Sequence, residues 1–223
     1  MKLYHDPIST SSRIVTFCLH DQDISFEDRQ ISIHAGEQFE PEFAALNPNS
    51  EVPVLVDGDF VLTQSSAILK YVAAKHGLDI YPAGLRQRAR VDEDMSWFAT
   101  NFHVFHCAML SYTYIMPQLA GLDPAVLATV RAIGGQGSRK YLGVLNDHML
   151  ASTEFVRSDR ITLADYVGAA NVTLGDAAGI DFEEYPNVIR WLSTLRARKG
   201  WRPAFGTFEA MIAAKRPAPS QAA

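Results

Sequence analysis

The chain has 223 residues, 48% of them hydrophobic and 20% charged, which is an ordinary globular composition. Twenty basic and 25 acidic residues give a net charge of −5, and this disfavours nucleic-acid binding, which needs a basic surface. No apolar stretch reaches the roughly 18 residues of a membrane span, and Asp6 and Pro7 interrupt any N-terminal signal core. We therefore expect a cytoplasmic protein that contacts neither nucleic acid nor membrane.

Cysteine and histidine usage argues against disulfides and metal. Cys18 and Cys107 are the two cysteines, far apart and outside any C-x-x-C pattern. His103 and His106 are close enough to share a helix face, but the sequence places no third ligand beside them. We expect no metal site, and we expect Cys18, on the apolar face of a helix, to be a core residue.

The first 77 residues alternate between strand and helix patterns. A strand–turn–strand unit centres on Asp57-Gly58, a pair typical of hairpin turns. Gly77 marks the end of the helix that follows. The predicted elements are strands at 2–5, 25–31, 54–56 and 60–63, helices at 11–21 and 65–76, and a less regular helical segment before Asn47. This βαβ-α-ββα order predicts an α/β domain, a small mixed sheet with helices on its faces, over residues 1–77.

Everything after a linker at residues 78–85 is predicted to be helical. The predicted helices cover 86–119, 124–150, 163–177, 186–198 and 203–213. Pro124 is suited to the first position of its helix, whereas the run Gly134-Gly135-Gln136-Gly137 either weakens that helix or marks a break within it. The sequence therefore predicts an all-α domain over residues 86–214 and a disordered tail over residues 215–223.

One polar turn stands between the first strand and the first helix, and it reads Pro7-Ile8-Ser9-Thr10-Ser11-Ser12-Arg13. A hydroxyl at this point lies beside free backbone N–H groups and the positive end of the helix dipole, so it favours an anion. Serine and threonine are also the preferred caps of helices. Local sequence leaves both interpretations open.

Two further segments have the same ambiguity. Pro53 stands at the mouth of the strand that begins at Val54, and a cis Val52–Pro53 bond would leave the Val52 backbone free to pair with an extended ligand. An ordinary proline-delimited loop is the alternative. Gln64 and Ser65 open the next helix, where N–H groups suit a carboxylate or simply begin a capped helix.

Taken together, these segments resemble the cytosolic glutathione transferases. The family carries S-x-x-x-R, N-P-x-x-x-V-P and [EQ]-S-x-A-I in this order, and the sequence is most similar to the serine-type theta and phi classes and their bacterial relatives. The segment Ile161-Thr162-Leu163-Ala164-Asp165 resembles the family's S/T-x-x-D capping box. The resemblance extends to about Phe208. It implies a thioredoxin-like glutathione-binding domain, a helical domain, and transfer of glutathione to a hydrophobic electrophile.

The resemblance also assigns roles within the first domain. Ser9 would be the catalytic hydroxyl that holds the glutathione sulfur as thiolate, with Ser11 and Thr10 as alternatives. The Val52 backbone would pair with the cysteinyl part of glutathione, and Pro53 would be the family's cis proline. Gln64 and Ser65 would bind the γ-glutamyl end of the tripeptide.

The glycyl carboxylate is where the sequence departs from the family. Gln38 occupies the place of a theta-class histidine, and Glu51 stands where that class has a lysine. Both are expected to line the glutathione site, but a glutamate cannot attract a carboxylate, so Lys70 or Arg13 is a candidate replacement. Asp92 matches an acidic position that in some classes reaches the glutathione amine of the neighbouring subunit.

The second substrate and the assembly are predicted less directly. Ile8, Phe102 and His106 are expected to line the hydrophobic-substrate pocket. The resemblance implies a homodimer, for which Phe39, Phe43 and a charged surface on the long helix supply a motive; these charges would otherwise only solvate an exposed helix. The alternative function is a glutathione-fold binding or interaction module without turnover, which Glu51 mildly favours.

Overall fold

The computed structural model describes residues 1–119 and 121–215. It begins with a four-stranded sheet in the order β2-β1-β3-β4. The strands are β1 Lys2–His5, β2 Glu27–Gln30, β3 Val54–Asp57 and β4 Phe60–Thr63. β1 pairs in parallel with β2 and antiparallel with β3, and β3 pairs antiparallel with β4. The predicted mixed sheet is confirmed.

The hairpin turn differs by one residue from its predicted position. Asp57 pairs with Phe60, so the two-residue turn is Gly58-Asp59 rather than Asp57-Gly58. Gly58 has φ +65°, a value that glycine adopts without strain. The register of β3 and β4 places Gly58 at the turn position that has a positive φ, and Asp57 is therefore the last residue of β3.

Two helices cover one face of the sheet and one short helix covers the other. The helices of this part are α1 Thr10–Asp21, α2 Pro41–Leu46 and α3 Ser65–Lys75. Leu3 and Leu55 of the sheet pack with Val15 of α1 and Ile68 of α3, all fully buried. On the opposite face, Tyr4 meets Phe43 of α2 edge to face, with ring centroids 6.1 Å apart. The N-terminus of α1 thus lies at the end of the sheet where β1 ends and β3 begins.

Beyond α3, the regular secondary structure of the described residues is helical, apart from an isolated bridge between Phe155 and Ser158. One long helical run consists of α4 Leu85–Trp97, a π-helical segment Phe98–Ser111 and α5 Tyr112–Ile115. The other helices are α6 Pro124–Val144 with a π-helical turn Leu145–Met149, α7 Leu163–Thr173 with a 3-10 segment Leu174–Ala178, α8 Pro186–Arg196 and α9 Trp201–Lys215. α9 reaches Lys215, which was expected to start the tail, and residues 216–223 lie outside the described part.

Of the two interpretations of the glycine run in α6, the break is wrong, because two of these glycines allow close packing. A Cβ atom on Gly134 would lie 2.7 Å from the backbone carbon of Met109, and one on Gly137 would lie 2.3 Å from the Phe105 ring. The missing side chains let α6 approach the π-helical segment closely, and the helix continues through all four residues. Packing outweighs the low helix propensity of glycine here.

The two parts of the chain share a core across α1. Phe17 meets Tyr166, Trp201 and Phe205 edge to face, with centroid separations between 4.9 and 5.5 Å. Cys18 is fully buried in the same cluster, as predicted. Across the described residues, no helix combines the length and apolar character needed to cross a bilayer.

Candidate functional site

A cleft of about 400 Å³ opens at the N-terminus of α1. Its polar wall comes from the α1 turn, the loop after β2 and the segment before β3, and its apolar wall comes from α5, α9 and the chain after α5. The polar wall includes Ser9, Ser11, Gln38, Glu51 and Val52. Five residues that the sequence proposed for one site, from three separate segments, therefore lie around one cavity.

Ser9 is the N-cap of α1. Its backbone is extended (φ −65°, ψ 127°), and its Oγ accepts a hydrogen bond of 3.3 Å from the Ser12 N–H. The Ser9 N–H donates to the Asp6 carbonyl at 3.0 Å, which fixes the turn. The first N–H groups of a helix have no acceptor within the helix, so those of Thr10 and Ser11 are available to a ligand. Because the Ser9 oxygen acts as acceptor toward Ser12, its own proton is free for another partner.

Asp6 stabilises this turn, although it was not among the predicted site residues. One carboxylate oxygen accepts from the Ile8 N–H at 2.8 Å, and the other accepts from the Ile33 N–H at 2.9 Å. Ser12 completes the brace, because its Oγ accepts from the Asp6 N–H at 3.2 Å. Asp6 thus ties the Ser9 turn to the loop after β2. The sequence feature that could have indicated this role is the position of Asp6, directly after the first strand and before Pro7.

Thr10 also lines the cleft, but its hydroxyl is engaged on the inner side. Arg13 Nη2 donates to Thr10 Oγ1 at 3.4 Å, and Arg13 Nη1 donates to Thr173 Oγ1 at 3.3 Å. Burial lowers the pKa of Arg13 to about 10, and the guanidinium lies 3.7 Å from the centroid of the Phe208 ring. Arg13 is a core cation and does not face the cleft, so it is wrong as a partner for the glycyl carboxylate.

The other candidate for that role is also wrong. Lys70 Nζ lies 2.7 Å from Asp92 Oδ1 and is not among the cleft residues. Asp92 accepts additionally from the Tyr81 hydroxyl at 3.1 Å. This ion pair lies between α3 and α4, so Asp92 does not reach the cleft of its own chain. Its expected role toward a neighbouring subunit stays a prediction.

The loop before β3 has the predicted backbone. The Val52–Pro53 bond is cis, and Val52 lines the cleft while Pro53 is buried beneath it. Asn47 supports the loop by donating from Nδ2 to the Glu51 carbonyl at 2.7 Å. The Glu51 side chain is exposed at the rim.

Gln38 and His34 lie on the facing loop. Gln38 Nε2 donates to the Ile33 carbonyl at 3.3 Å, and its Oε1 is buried with no partner among the described residues. His34 is exposed and lines the same cleft as Gln38. His34 was not predicted as a site residue, although it lies four residues before Gln38 in the same loop.

Gln64 and Ser65 begin α3 outside the residues that line the cleft. Gln64 is the N-cap with φ +67°, an uncommon backbone for a residue with a side chain, and Ser65 is the first helical residue. Gln64 is exposed and Ser65 is half-buried. The free N–H groups at this helix start match the predicted carboxylate site, but the cavity itself does not extend to them.

Phe102 and His106 are wrong as pocket residues, because both are fully buried. Their rings pack together with centroids 4.5 Å apart, and the His106 nitrogens bond Ser138 Oγ at 2.8 Å and the Val172 carbonyl at 3.1 Å. Burial lowers the pKa of His106 to about 4. This face of the long helix packs against α6 and α7, so it builds the core.

The apolar wall comes instead from residues nearer the end of that helical run and from α9. Ile8 lines the cleft together with Tyr112, Ile115, Met116 and Met211, and its role toward a hydrophobic substrate stays a prediction. Burial raises the pKa of Tyr112 to about 12, so its phenol keeps its proton at neutral pH. Lys215 and Gln118 stand at the mouth. The cleft can hold a small anion at the α1 N-terminus and an apolar compound beside it.

Comparisons with known proteins give the same picture over most of the chain. The model of the glutathione S-transferase N-terminal domain matches residues 1–74, and that of the C-terminal domain matches residues 102–199. Glutathione S-transferase theta-1 of Homo sapiens is 33% identical over 205 residues, covering 90% of this chain and 84% of the human protein. Glutathione S-transferase theta-3 of Mus musculus is 32% identical over 206 residues, covering 90% and 83%.

Solved structures agree. Human glutathione transferase theta-2, in complex with glutathione and an unknown ligand, has a TM-score of 0.83 at 27% identity, covering 99% of this chain and 93% of its own. Glutathione transferase F7 from Populus trichocarpa has a TM-score of 0.81 at 26% identity, covering 93% and 98%. The fold, the cleft at the α1 N-terminus and these matches lead to one conclusion: the chain belongs to the glutathione S-transferase family.

Proposed function

We propose that this chain is a glutathione transferase in which the Ser9 hydroxyl holds the sulfur of glutathione as a thiolate for attack on a hydrophobic electrophile. The observation that carries this proposal is the state of Ser9 at the cleft: its oxygen accepts from the Ser12 N–H, and its proton is left for the ligand. The electrophile would be conjugated, dehalogenated or, if a peroxide, reduced.

The required effect is moderate in size. A thiol with a pKa of about 8.5 is only a few per cent ionised at pH 7. Lowering that pKa by about two units makes the thiolate the main species and corresponds to about 2.7 kcal/mol. The Ser9 hydroxyl, the free N–H groups of the first α1 turn and the helix dipole all favour the anion, so the geometry supports an effect of this size.

The rest of glutathione follows from the extended backbone at Val52. The cysteinyl part would pair with the Val52 backbone, and the γ-glutamyl end would lie toward Gln64 and Ser65 at the start of α3. For the glycyl carboxylate we propose His34 together with Gln38, because Arg13 and Lys70 are committed elsewhere. Glu51 would then lie beside this end at the rim without contributing attraction.

The apolar wall sets the type of second substrate. Ile8, Tyr112, Ile115, Met116 and Met211 favour an apolar body. Flexible methionine side chains can adapt to more than one shape, which suits a transferase with several electrophiles. Glu51 is the one feature that mildly favours a binding module without turnover, and no other described residue that lines the cleft adds to it.

Assembly as a homodimer is part of the proposal. Phe39 is 69% exposed and Leu85 is 83% exposed, so both offer apolar surface to a partner. Phe43 does not contribute, because it is 4% exposed and packs under Tyr4. Sedimentation equilibrium at micromolar concentration should give twice the chain mass of 24.7 kDa. A fully active 24.7 kDa species would contradict an obligatory partner and remove Asp92 from the site.

The catalytic assignment is tested by Ser9→Ala, with Ser11→Ala as the matched control. Ser9→Ala should lower kcat/KM for a chromogenic aryl halide by about one to three orders of magnitude, because a hydrogen bond to the thiolate is lost. Ser11→Ala should change it by less than about threefold. Full activity in Ser9→Ala together with loss of activity in Ser11→Ala would transfer the role to Ser11.

A further inference from the structure

A second cleft, of about 350 Å³, lies between the start of α4 and the loop that leads into α7. Arg86 and Arg90 line it from α4, and Arg157 and Arg160 line it from the loop. Asp79 and Asp94 are the carboxylates among its lining residues, so four cations face two anions. None of the described residues that line this cleft also lines the cleft at Ser9.

Two of the four guanidinium groups are already paired. Arg157 Nη1 donates to the buried Asp94 carboxylate at 2.9 Å and lies 3.4 Å from Glu93. Arg90 also pairs with Glu93. Arg86 and Arg160, by contrast, have no carboxylate partner for their side chains in the part of the chain that the structure describes. The cleft therefore has one cation without an ion pair on each wall. Asp79 is a lining carboxylate that also has no ion pair among the described residues, so these three unpaired groups carry a net charge of +1.

The start of α4 adds positive potential to the same place. Gly84 is the N-cap and has no side chain to accept from the first N–H groups, and the first turn contains no acidic residue. Arg86 is the second residue of this helix, where a cation is unfavourable beside the positive end of the dipole. Arg90 stands four residues later on the same face, so the two like charges repel each other. A bound anion would offset both effects.

The opposite wall is held in place before any ligand arrives. The Arg157 N–H donates to the Met149 carbonyl at 2.8 Å, and the Val156 N–H donates to Asp165 Oδ1 at 2.9 Å. The Arg160 N–H donates to Ser158 Oγ at 3.1 Å. These bonds anchor the loop on both sides of the arginines. A rigid wall of this kind reduces the entropy cost of binding.

We propose that this cleft binds the phosphate group of a small phosphorylated compound. One guanidinium group can donate two parallel hydrogen bonds to two oxygens of a phosphate. The free N–H groups at a helix start bind the same kind of anion. Arg86 and Arg160 hold the phosphate from the two walls, and the first turn of α4 contacts it from its N–H groups. The volume leaves room for a small organic part beyond the phosphate.

Calorimetric titration of the full chain at fixed ionic strength tests this, with inorganic phosphate, glycerol phosphate and succinate as probes. The test variant is Arg86→Gln/Arg160→Gln. The matched control, Arg139→Gln/Arg202→Gln, removes the same two charges from exposed positions outside both clefts. For each phosphate probe, the control should have the same dissociation constant as the wild type. The test variant should bind both probes at least tenfold more weakly. Without phosphate, the test variant should be at least as heat-stable as the wild type.

Three kinds of result would overturn the proposal. The first is a failure of the phosphate titration itself, which means either that the wild type binds neither phosphate probe or that the control loses as much binding as the test variant. The second is binding of succinate in preference to both phosphate probes, which would make the cleft a carboxylate site. The third is a change in sedimentation of the unliganded test variant alone, because the arginines would then serve contact between subunits.

Discussion

The helices α1 and α7 each begin with a hydroxyl-bearing cap, but the cap of α7 is buried within the fold and the cap of α1 lies at a cleft. Thr162 at the start of α7 is 7% exposed, and its partner Asp165 is 0% exposed. Asp165 accepts four hydrogen bonds, from the Thr162 N–H at 2.8 Å, the Thr162 hydroxyl at 3.1 Å, the Val156 N–H at 2.9 Å and Trp191 Nε1 at 2.9 Å. The Thr162 and Asp165 side chains at this helix start therefore have their partners within the fold.

The start of α1 is incomplete by comparison. Ser9 accepts one bond of 3.3 Å, the first turn contains no acidic residue, and the turn opens into a cleft. A carboxylate here would occupy the position that we assign to the thiolate. The difference indicates that a helix start is open to a ligand when the fold leaves its first N–H groups and its hydroxyl proton without internal partners.

The largest effect on stability is expected at Asp165. Asp165→Ala would leave buried donors without an acceptor, so the free energy of unfolding should fall by about 3–5 kcal/mol. Urea denaturation measures this. Asp165→Asn keeps the volume and one acceptor oxygen, so its loss should be smaller. A loss below about 1 kcal/mol for Asp165→Ala would mean that the α7 start is not the structural element described here.

His106 is expected to make the free energy of unfolding depend on pH. This dependence tests whether its side chain belongs to the core or to the substrate pocket. Its pKa is 6.5 in the unfolded chain and is lowered by burial to about 4 in the folded state. The neutral ring therefore contributes stability that is complete above pH 6.5 and is lost as the pH falls toward 4. The full change is about 3 kcal/mol.

His106→Gln isolates this contribution because glutamine can still bond Ser138 but does not titrate. The difference in unfolding free energy between wild type and variant should shrink as the pH is lowered from 7.5 to 4. KM for the electrophile should stay within about twofold. A pH-independent difference, or a large change in KM, would return His106 to the substrate pocket.

The smallest effect is expected when the two capping hydroxyls are removed and only stability is measured. Thr162→Ala should cost about 1–2 kcal/mol, because a buried cap is lost. Ser9→Ala should cost about 0.5 kcal/mol, since its hydrogen bond is long and the turn is half-exposed. Equal losses in thermal denaturation would remove the contrast between the two helix starts.

The fold was largely predictable because its signals are local. The alternation of strands and helices, Pro124 at a helix start and the Thr162–Asp165 box each depend on neighbours a few residues away. The Gly134–Gly137 segment misled for the opposite reason, because its meaning comes from Met109 and Phe105 on another helix. Sequence spacing alone cannot report such a contact.

Residues of the candidate site were easiest to predict from the sequence where they belong to a short turn. Ser9, Val52 and Ile8 belong to short segments whose shape is set by proline and helix capping. Phe102 and His106 were misassigned because the side of a long helix that faces the core depends on how α6 and α7 pack against it. Tyr112 and Met211 were missed for the same reason, and Arg13 could be excluded only once Phe208 and Thr173 surrounded it.

The central claim is that the Ser9 hydroxyl lowers the pKa of the glutathione thiol at the α1 N-terminus. Ultraviolet difference absorbance of the thiolate, titrated with pH in the complex of wild type and Ser9→Ala with glutathione, measures this directly. We predict a bound thiol pKa about two units below that of free glutathione in the wild type, returning most of the way to the free value in Ser9→Ala. The same depressed pKa in both proteins would contradict the account.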